Sequence, residues 1–250
     1  MGLIKLNGAA SPALPRDSVI VVIPVYNGYQ HAAESVAAAL SHTAADVPIC
    51  IINDGSTDPR IDDFIEQLGA SDSLRHAVYY IDHAENVGFV ESCNEAFERF
   101  APADILILNS DCVVSERWLE RIRATAATDP RIATVSVLAN SATILSIPER
   151  NEPTSTSQVA PLDAAARLVS QNSAASNPEI PTAIGHCMLI RRAALELVGG
   201  FDPIFSPGYG EEVDFSQRCV IQGLKHVVAD DVYVLHHGGV SFGEQAKQIQ

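Results

Sequence analysis

A chain of 250 residues with 47% hydrophobic side chains can build one large α/β domain around a substantial core, and it lacks the composition of a disordered, collagen-like or coiled-coil polymer. Its 31 acidic and 16 basic residues leave a formal net charge of -15, which argues against the broad basic face that nucleic-acid backbones and anionic lipid require. A nucleotide diphosphate remains admissible, because a divalent cation can sit between it and protein carboxylates.

Cys50, Cys93, Cys112, Cys187 and Cys219 are odd in number, widely spaced and free of any CxxC pair. They read as reduced, mostly buried cysteines of a cytosolic protein rather than a disulfide framework or zinc site. Met1 to Arg16 carries no basic stretch followed by an apolar run, so no signal peptide is expected. No apolar stretch approaches the ~20 residues that span a bilayer. A soluble protein is expected.

The first half alternates strand and helix. Val19–Pro24 is a continuous, β-branched apolar run, as in a strand buried on both faces. An Ala-rich helix over Gln30–His42 follows, then a strand at Ile49–Asn53, a helix over Asp58–Leu68 and a strand at Ala77–Ile81. Phe89, Cys93, Phe97 and Phe100 recur at helical spacing. Asp104–Asn109 is the fourth strand, and Ser115–Thr128 a helix with Trp118 and Leu119 inward. This order predicts a parallel sheet with helices on both faces.

After a strand at Ile132–Leu138, Ala139 to Pro181 is rich in Ser, Asn, Thr and Pro, with helical pattern only at Leu162–Leu168. A loop this long inside a domain suggests a lid or binding edge. A strand at Ala183–Ile190, helices near Arg192–Val198 and Glu212–Gln222, and a strand at Lys225–Leu235 complete the pattern. The chain stops in a polar tail soon after Phe242, as one module of a longer protein would.

Ligands of open parallel sheets bind beyond the carboxyl ends of the strands. Those ends here carry Pro24-Val25-Tyr26-Asn27-Gly28, Asn53-Asp54-Gly55-Ser56-Thr57-Asp58, Asn86-Val87-Gly88 and Asn109-Ser110-Asp111. Asp58 reads as a helix N-cap, and Asp54 as a hydrogen-bond partner for a nucleobase or ribose. No GxGxxG follows the first strand, which disfavours a dinucleotide site. A carboxylate at Asp111 is placed to hold Mg²⁺ or Mn²⁺, although a plain β-turn would read identically.

Glu211, Glu212 and Asp214 open a helix, where the macrodipole favours negative charge, and Asp214 is spaced to pair with Arg218. The flanking Gly and Tyr residues favour a general base for an acceptor hydroxyl over a merely capped helix start. His236-His237-Gly238-Gly239 at the last strand end points to metal or phosphate contact. His186 stays open between core packing and acceptor contact.

These segments, in this order, resemble the family-two inverting glycosyltransferases of the GT-A fold. The matching pieces are 21–28, 53–58, 86–89 leading to Asn94, 108–111, Gly199-Gly200-Phe201-Asp202, 210–214, and 236–242. The resemblance implies a Rossmann-like, mostly parallel central sheet with helices on both faces and an elaborated acceptor-side edge. Residues 1–17 would lead in, 18–243 would form one domain (18–111 binding nucleotide, 112–243 carrying the acceptor and catalytic half), and 244–250 would be a polar tail.

It also implies that Pro24, Tyr26, Asn27 and Asp54 line a nucleoside pocket closed by Asn86 and Gly88. Asn109-Ser110-Asp111 resembles the DxD motif, with Asn109 uncharged where the family has an acid. Asp111 and His236 would then hold Mn²⁺ or Mg²⁺. Glu211-Glu212 resembles the acidic catalytic pair, usually Glu-Asp, with Glu212 matching the base and Asp214 beside it. The implied reaction moves a sugar from a nucleoside-diphosphate sugar to a glycan or lipid-linked glycan, with 139–181 as the acceptor edge. Such chains often serve bacterial O-antigen and capsule assembly, in the cytoplasm or at the inner face of the membrane. The alternatives are a non-catalytic nucleotide-sugar-binding module and, less favoured, a sugar nucleotidyltransferase. The latter lacks its basic loop, since Tyr26-Asn27-Gly28-Tyr29-Gln30 holds no Lys or Arg.

Overall fold

The structure, a computed structural model, describes residues 2–7, 10–72 and 74–238. The motif residues 239–242 and the expected polar tail lie outside the described residues. The strands are β1 (Leu3–Lys5), β2 (Val19–Val25), β3 (Ile49–Asn53), β4 (Val78–Asp82), β5 (Asp104–Leu108), β6 (Cys112–Val113), β7 (Ile132–Ala139), β8 (Glu179–Ile180), β9 (Cys187–Ile190) and β10 (Lys225–His236). The helices are α1 (Tyr29–His42), α2 (Pro59–Gly69), α3 (Phe89–Arg99), α4 (Trp118–Ala126), α5 (Leu162–Asn172), α6 (Arg192–Val198) and α7 (Glu211–Ile221).

The strands form one sheet in the order β1-β4-β3-β2-β5-β9-β7-β10-β6, with β8 on β10. The pairs from β1 to β5 are parallel, as is β7 with β10. β9 runs antiparallel to both β5 and β7. The expected mostly parallel sheet is present, with this reversal at its centre.

Continuous apolar strands arise because both faces are covered. Val19, Val21, Ile23 and Val25 of β2 enter one core, with Ile49 and Ile51 of β3 and Leu106 and Leu108 of β5. α1, α2 and α4 cover that core through Val36, Ile61 and Trp118. The alternating residues Ile20, Val22, Cys50, Ile52, Ile105 and Ile107 enter the other, under Cys93, Phe97, Leu195 and Phe215 of α3, α6 and α7. Trp118 and Leu119 are buried as expected. All five cysteines are free and buried.

Three short strands lack a legible pattern: β1, β6 and β8, the last of which pairs antiparallel with β10 inside the long segment read as loop and helix. β1 falls in the expected lead-in and adds an edge strand, Leu3 opposite Val78. β6 pairs antiparallel with the end of β10, Leu235 opposite Val113 and His236 opposite Cys112. In the long segment, the helix runs to Asn172, four residues past the expected end. No helix among the described residues is long and apolar enough to cross a membrane.

Candidate active site

Parallel pairing puts the turns after β2, β3, β4 and β5 at one end of the sheet. The antiparallel β9 begins there, because Leu108 lies opposite Cys187 and the Asn109 N–H donates to the His186 carbonyl (2.9 Å). β7 and β10 end on the same side, with Ala139 opposite Val234.

The nucleoside-side turns are stitched to one another. Asn27 sits in the left-handed region (φ 56°), and its Oδ1 accepts from the Thr57 N–H (2.8 Å) and the Asp58 N–H (3.1 Å). Its own N–H donates to Ser56 Oγ (2.8 Å). Asp58 caps α2, accepting from the Arg60 N–H as expected.

Asp54, expected to meet a nucleobase or ribose, is buried and engaged by the protein itself. Oδ1 accepts from the Val87 N–H (2.8 Å) and lies 3.0 Å from His83 Nδ1, while Oδ2 accepts from the Gly88 N–H (2.9 Å) and Asn86 Nδ2 (3.1 Å). The carboxylate therefore fixes the Asn86–Gly88 turn. Gly55 lies beneath that turn at φ 64°, and a Cβ there would fall 2.3 Å from the Glu85 carbonyl carbon, so only glycine fits. The turn also meets the 206–210 segment, where the Phe89 N–H donates to the Pro207 carbonyl (2.9 Å). Pro24 and Tyr26 are half-buried at the neighbouring strand end.

His83, which the sequence did not single out, bridges Asp54 and Glu95, its Nε2 lying 2.7 Å from Glu95 Oε2. The Asp54 hydrogen bond, helped by Glu95 and opposed by burial, raises its pKa above the ordinary 6.5. A raised folded-state pKa contributes stability that is complete below the unfolded value and fades as pH rises through the folded one. The stability difference between the native chain and His83→Gln is therefore expected to be largest near about pH 6 and to shrink towards about pH 9. Urea melts across that range check it, and a gap that widens with pH contradicts it.

On the other side, Asp111 is buried, and its Oδ1 lies 3.3 Å from His236 Nε2 without a well-aligned hydrogen bond. His236 Nδ1 contacts the Ser141 carbonyl, which only accepts, so Nδ1 carries the hydrogen and Nε2 is the atom facing Asp111. Burial opposes charge on both groups. Their mutual attraction outweighs it, lowering the Asp111 pKa and raising that of His236. The His186 ring stacks on His236 at 5.4 Å. Burial, then His236, lowers the His186 pKa to about 3, so it is neutral, and both its ring nitrogens are buried without partners. Asn109 Oδ1 is also buried and unpartnered, and Ser110 is buried beside it.

This donor set suits a hard divalent cation: a carboxylate oxygen without a hydrogen bond, an imidazole whose tautomer is fixed by a backbone carbonyl, and an amide oxygen nearby. Cys112 falls in the same cluster, but burial holds its thiol protonated and its Sγ contacts the His186 carbonyl.

The acidic helix start is α7, capped by Gly210 at φ 100°. Glu211 is 6% exposed, and burial, then the charge of Glu212, raises its pKa to about 7. Oε2 of both Glu211 and Glu212 is buried without a partner, and Glu212 is the more open residue. Asp214, expected beside them, is paired with Arg218 (2.7 Å). Arg218 in turn donates to the Val198 and Gly200 carbonyls, so this pair ties α7 to the end of α6. Phe215 of α7 and Cys93 and Phe97 of α3 share one core, which packs α7 and α3 on the same face of the sheet. The 199–202 motif is held by Asn94, which exchanges two hydrogen bonds with the Phe201 backbone.

A glycosyl transferase family 2 profile matches residues 20–199, and the chain belongs to that family. A Haemophilus influenzae protein described as an uncharacterized glycosyltransferase is 28% identical over 104 residues, 42% of this chain and 31% of that protein. Among solved structures, GalNAc-T7 with UDP, GalNAc and Mn²⁺ is similar with a TM-score of 0.64 and 18% identity, over 88% of this chain and 43% of that one. The Pyrobaculum calidifontis mannosyltransferase PcManGT in complex with GDP-Man and Mn²⁺ gives 0.64 and 16%, over 96% and 62%. S. aureus TarS 1-349 gives 0.57 and 15%, over 88% and 60%. The fold is therefore GT-A, and the chain spans under two thirds of each of these relatives.

Proposed function

We propose that this chain is an inverting glycosyltransferase that takes a sugar from a nucleoside-diphosphate donor to an acceptor hydroxyl with a divalent cation. The observation that carries the reading is the group of buried polar atoms without partners on Asn109, Asp111 and His186, with His236 facing Asp111, at the strand ends of a family 2 domain. Buried polar atoms without partners are rare, and a cluster of them is the mark of a ligand site. Two of the similar structures, GalNAc-T7 and PcManGT, carry UDP or GDP-Man together with Mn²⁺, which supports the same ligand class here.

In this reading Pro24, Tyr26 and Asn27 line the nucleoside pocket. Asp54 shapes it by holding Asn86 and Gly88. Asp111 and His236 would hold Mn²⁺ or Mg²⁺, with Asn109 and Ser110 beside it. The bound ion would neutralise the charge that develops on the departing diphosphate. His186 offers the donor one N–H and one lone pair. Glu212 removes the acceptor proton as its oxygen attacks the anomeric carbon, and one displacement inverts that centre. Glu211 tunes the pair through its charge, and Asp214 positions α7 through Arg218.

The acceptor is a glycan or lipid-linked glycan of cell-surface polysaccharide synthesis, in the cytoplasm or at the inner face of the membrane. That part rests on the sequence resemblance alone. Incubation with a panel of nucleoside-diphosphate sugars and Mn²⁺ tests the reading. Release of the nucleoside diphosphate with an inverted sugar product is expected. Retained configuration overturns the single displacement, and binding without release leaves a binding module.

A further inference from the structure

His31, Glu34 and His237 form a cluster that the proposed transfer does not use. Its assembly follows from the fold. His31 and Glu34 stand three residues apart on α1 and so share a face. α1 packs on β6, and β6 pairs with the last residues of β10. The His237 N–H then donates to the Asp111 carbonyl (2.9 Å), fixing the backbone where the chain leaves β10.

There the His31 and His237 rings lie 4.3 Å apart, and His237 Nε2 is 3.1 Å from Glu34 Oε2. His31 Nδ1 is buried with no hydrogen-bond partner. One ligand atom from each of the three residues lies within 4.8 Å of the others. The successive histidines go to different partners: His236 to Asp111 and Ser141, His237 to Glu34 and His31.

We propose that His31, Glu34 and His237 form a second cation site, built for a borderline transition ion of the Zn²⁺ class and separate from the Asp111 centre. Two imidazoles and one carboxylate are a zinc-type donor set, whereas Mg²⁺ and Mn²⁺ prefer oxygen. Tetrahedral zinc needs ligand atoms about 3.3 Å apart; His237 Nε2 and Glu34 Oε2 already meet that spacing at 3.1 Å, and the remaining contraction is towards His31. Three protein ligands leave the fourth position to water or a small ligand. An ion here clamps the end of β10 to α1 and so steadies the strand that carries His236.

Calorimetric titration of the untagged, metal-stripped full chain with zinc chloride, under saturating Mg²⁺, tests the proposal. The native chain is expected to take up one Zn²⁺. Asp111→Asn should keep that site within about threefold, while His31→Gln and His237→Gln weaken it at least about tenfold with unchanged circular dichroism. Glu34→Gln, at an exposed position, gives the same reading if a histidine variant fails to fold. No zinc uptake by the native chain overturns the proposal. So does uptake that vanishes in Asp111→Asn and survives in His31→Gln, since that assigns zinc to the other centre. Donor binding is read separately, so failure of either reading leaves the other standing.

Discussion

Glu212→Gln is expected to bind a nucleoside-diphosphate sugar as the native chain does and to transfer it about 10²–10⁴-fold more slowly. The amide keeps the size and polarity of the side chain but cannot accept the acceptor's proton. Glu212 is favoured over Glu211 because it is the more open of the two, while Glu211 is 6% exposed. The two are coupled: part of the rise of the Glu211 pKa to about 7 comes from the Glu212 charge. Removing that charge should lower the Glu211 pKa, so any residual rate in the Gln variant should keep its activity to lower pH. Rates measured across pH for Glu212→Gln and Glu211→Gln separate the roles. Near-native transfer by Glu212→Gln, with loss in Glu211→Gln, moves the base to Glu211.

Asp111→Ala is expected to remove the cation-dependent part of donor binding, roughly 100-fold or more in Kd. The loss is electrostatic in origin. Burial lowers the His236 pKa, and the Asp111 carboxylate, helped by the Ser141 carbonyl, raises it. Without that carboxylate the site keeps imidazoles and an amide, and the formal charge that attracts a hard cation is gone. Thermal melts with a nucleoside diphosphate and Mn²⁺ should show a shift in the native chain and little or none in the variant. An equal shift in both would mean that the cation binds elsewhere.

Much of the fold was legible because burial on both faces leaves an unmistakable trace. Val19–Val25, Ile49–Asn53 and Asp104–Leu108 are apolar almost throughout, and their lengths suit strands. Strand direction was not legible, since an apolar run reads the same either way, and β9 is reversed. β1, at three residues, and β6 and β8, at two each, are too short to show a period.

In the site, short-range features could be read: the Asp58 cap and the Asp214–Arg218 pair depend on neighbours in sequence. Long-range ones could not. Nothing at Asp54 announces that backbone N–H groups more than 30 residues away saturate its carboxylate. His83 carried only the weak signal of a histidine just after a strand. The orphaned nitrogens of His186 are visible only once His236 stacks on it.

One titration bears on the core of this account. The native chain is titrated with UDP, GDP and dTDP, first with Mn²⁺ and then with excess EDTA. At least one diphosphate should bind with the cation present and be lost on chelation. Equal affinity in EDTA, or no binding of any diphosphate with Mn²⁺ or Mg²⁺, would contradict a cation held by Asp111 and His236 for a pyrophosphate.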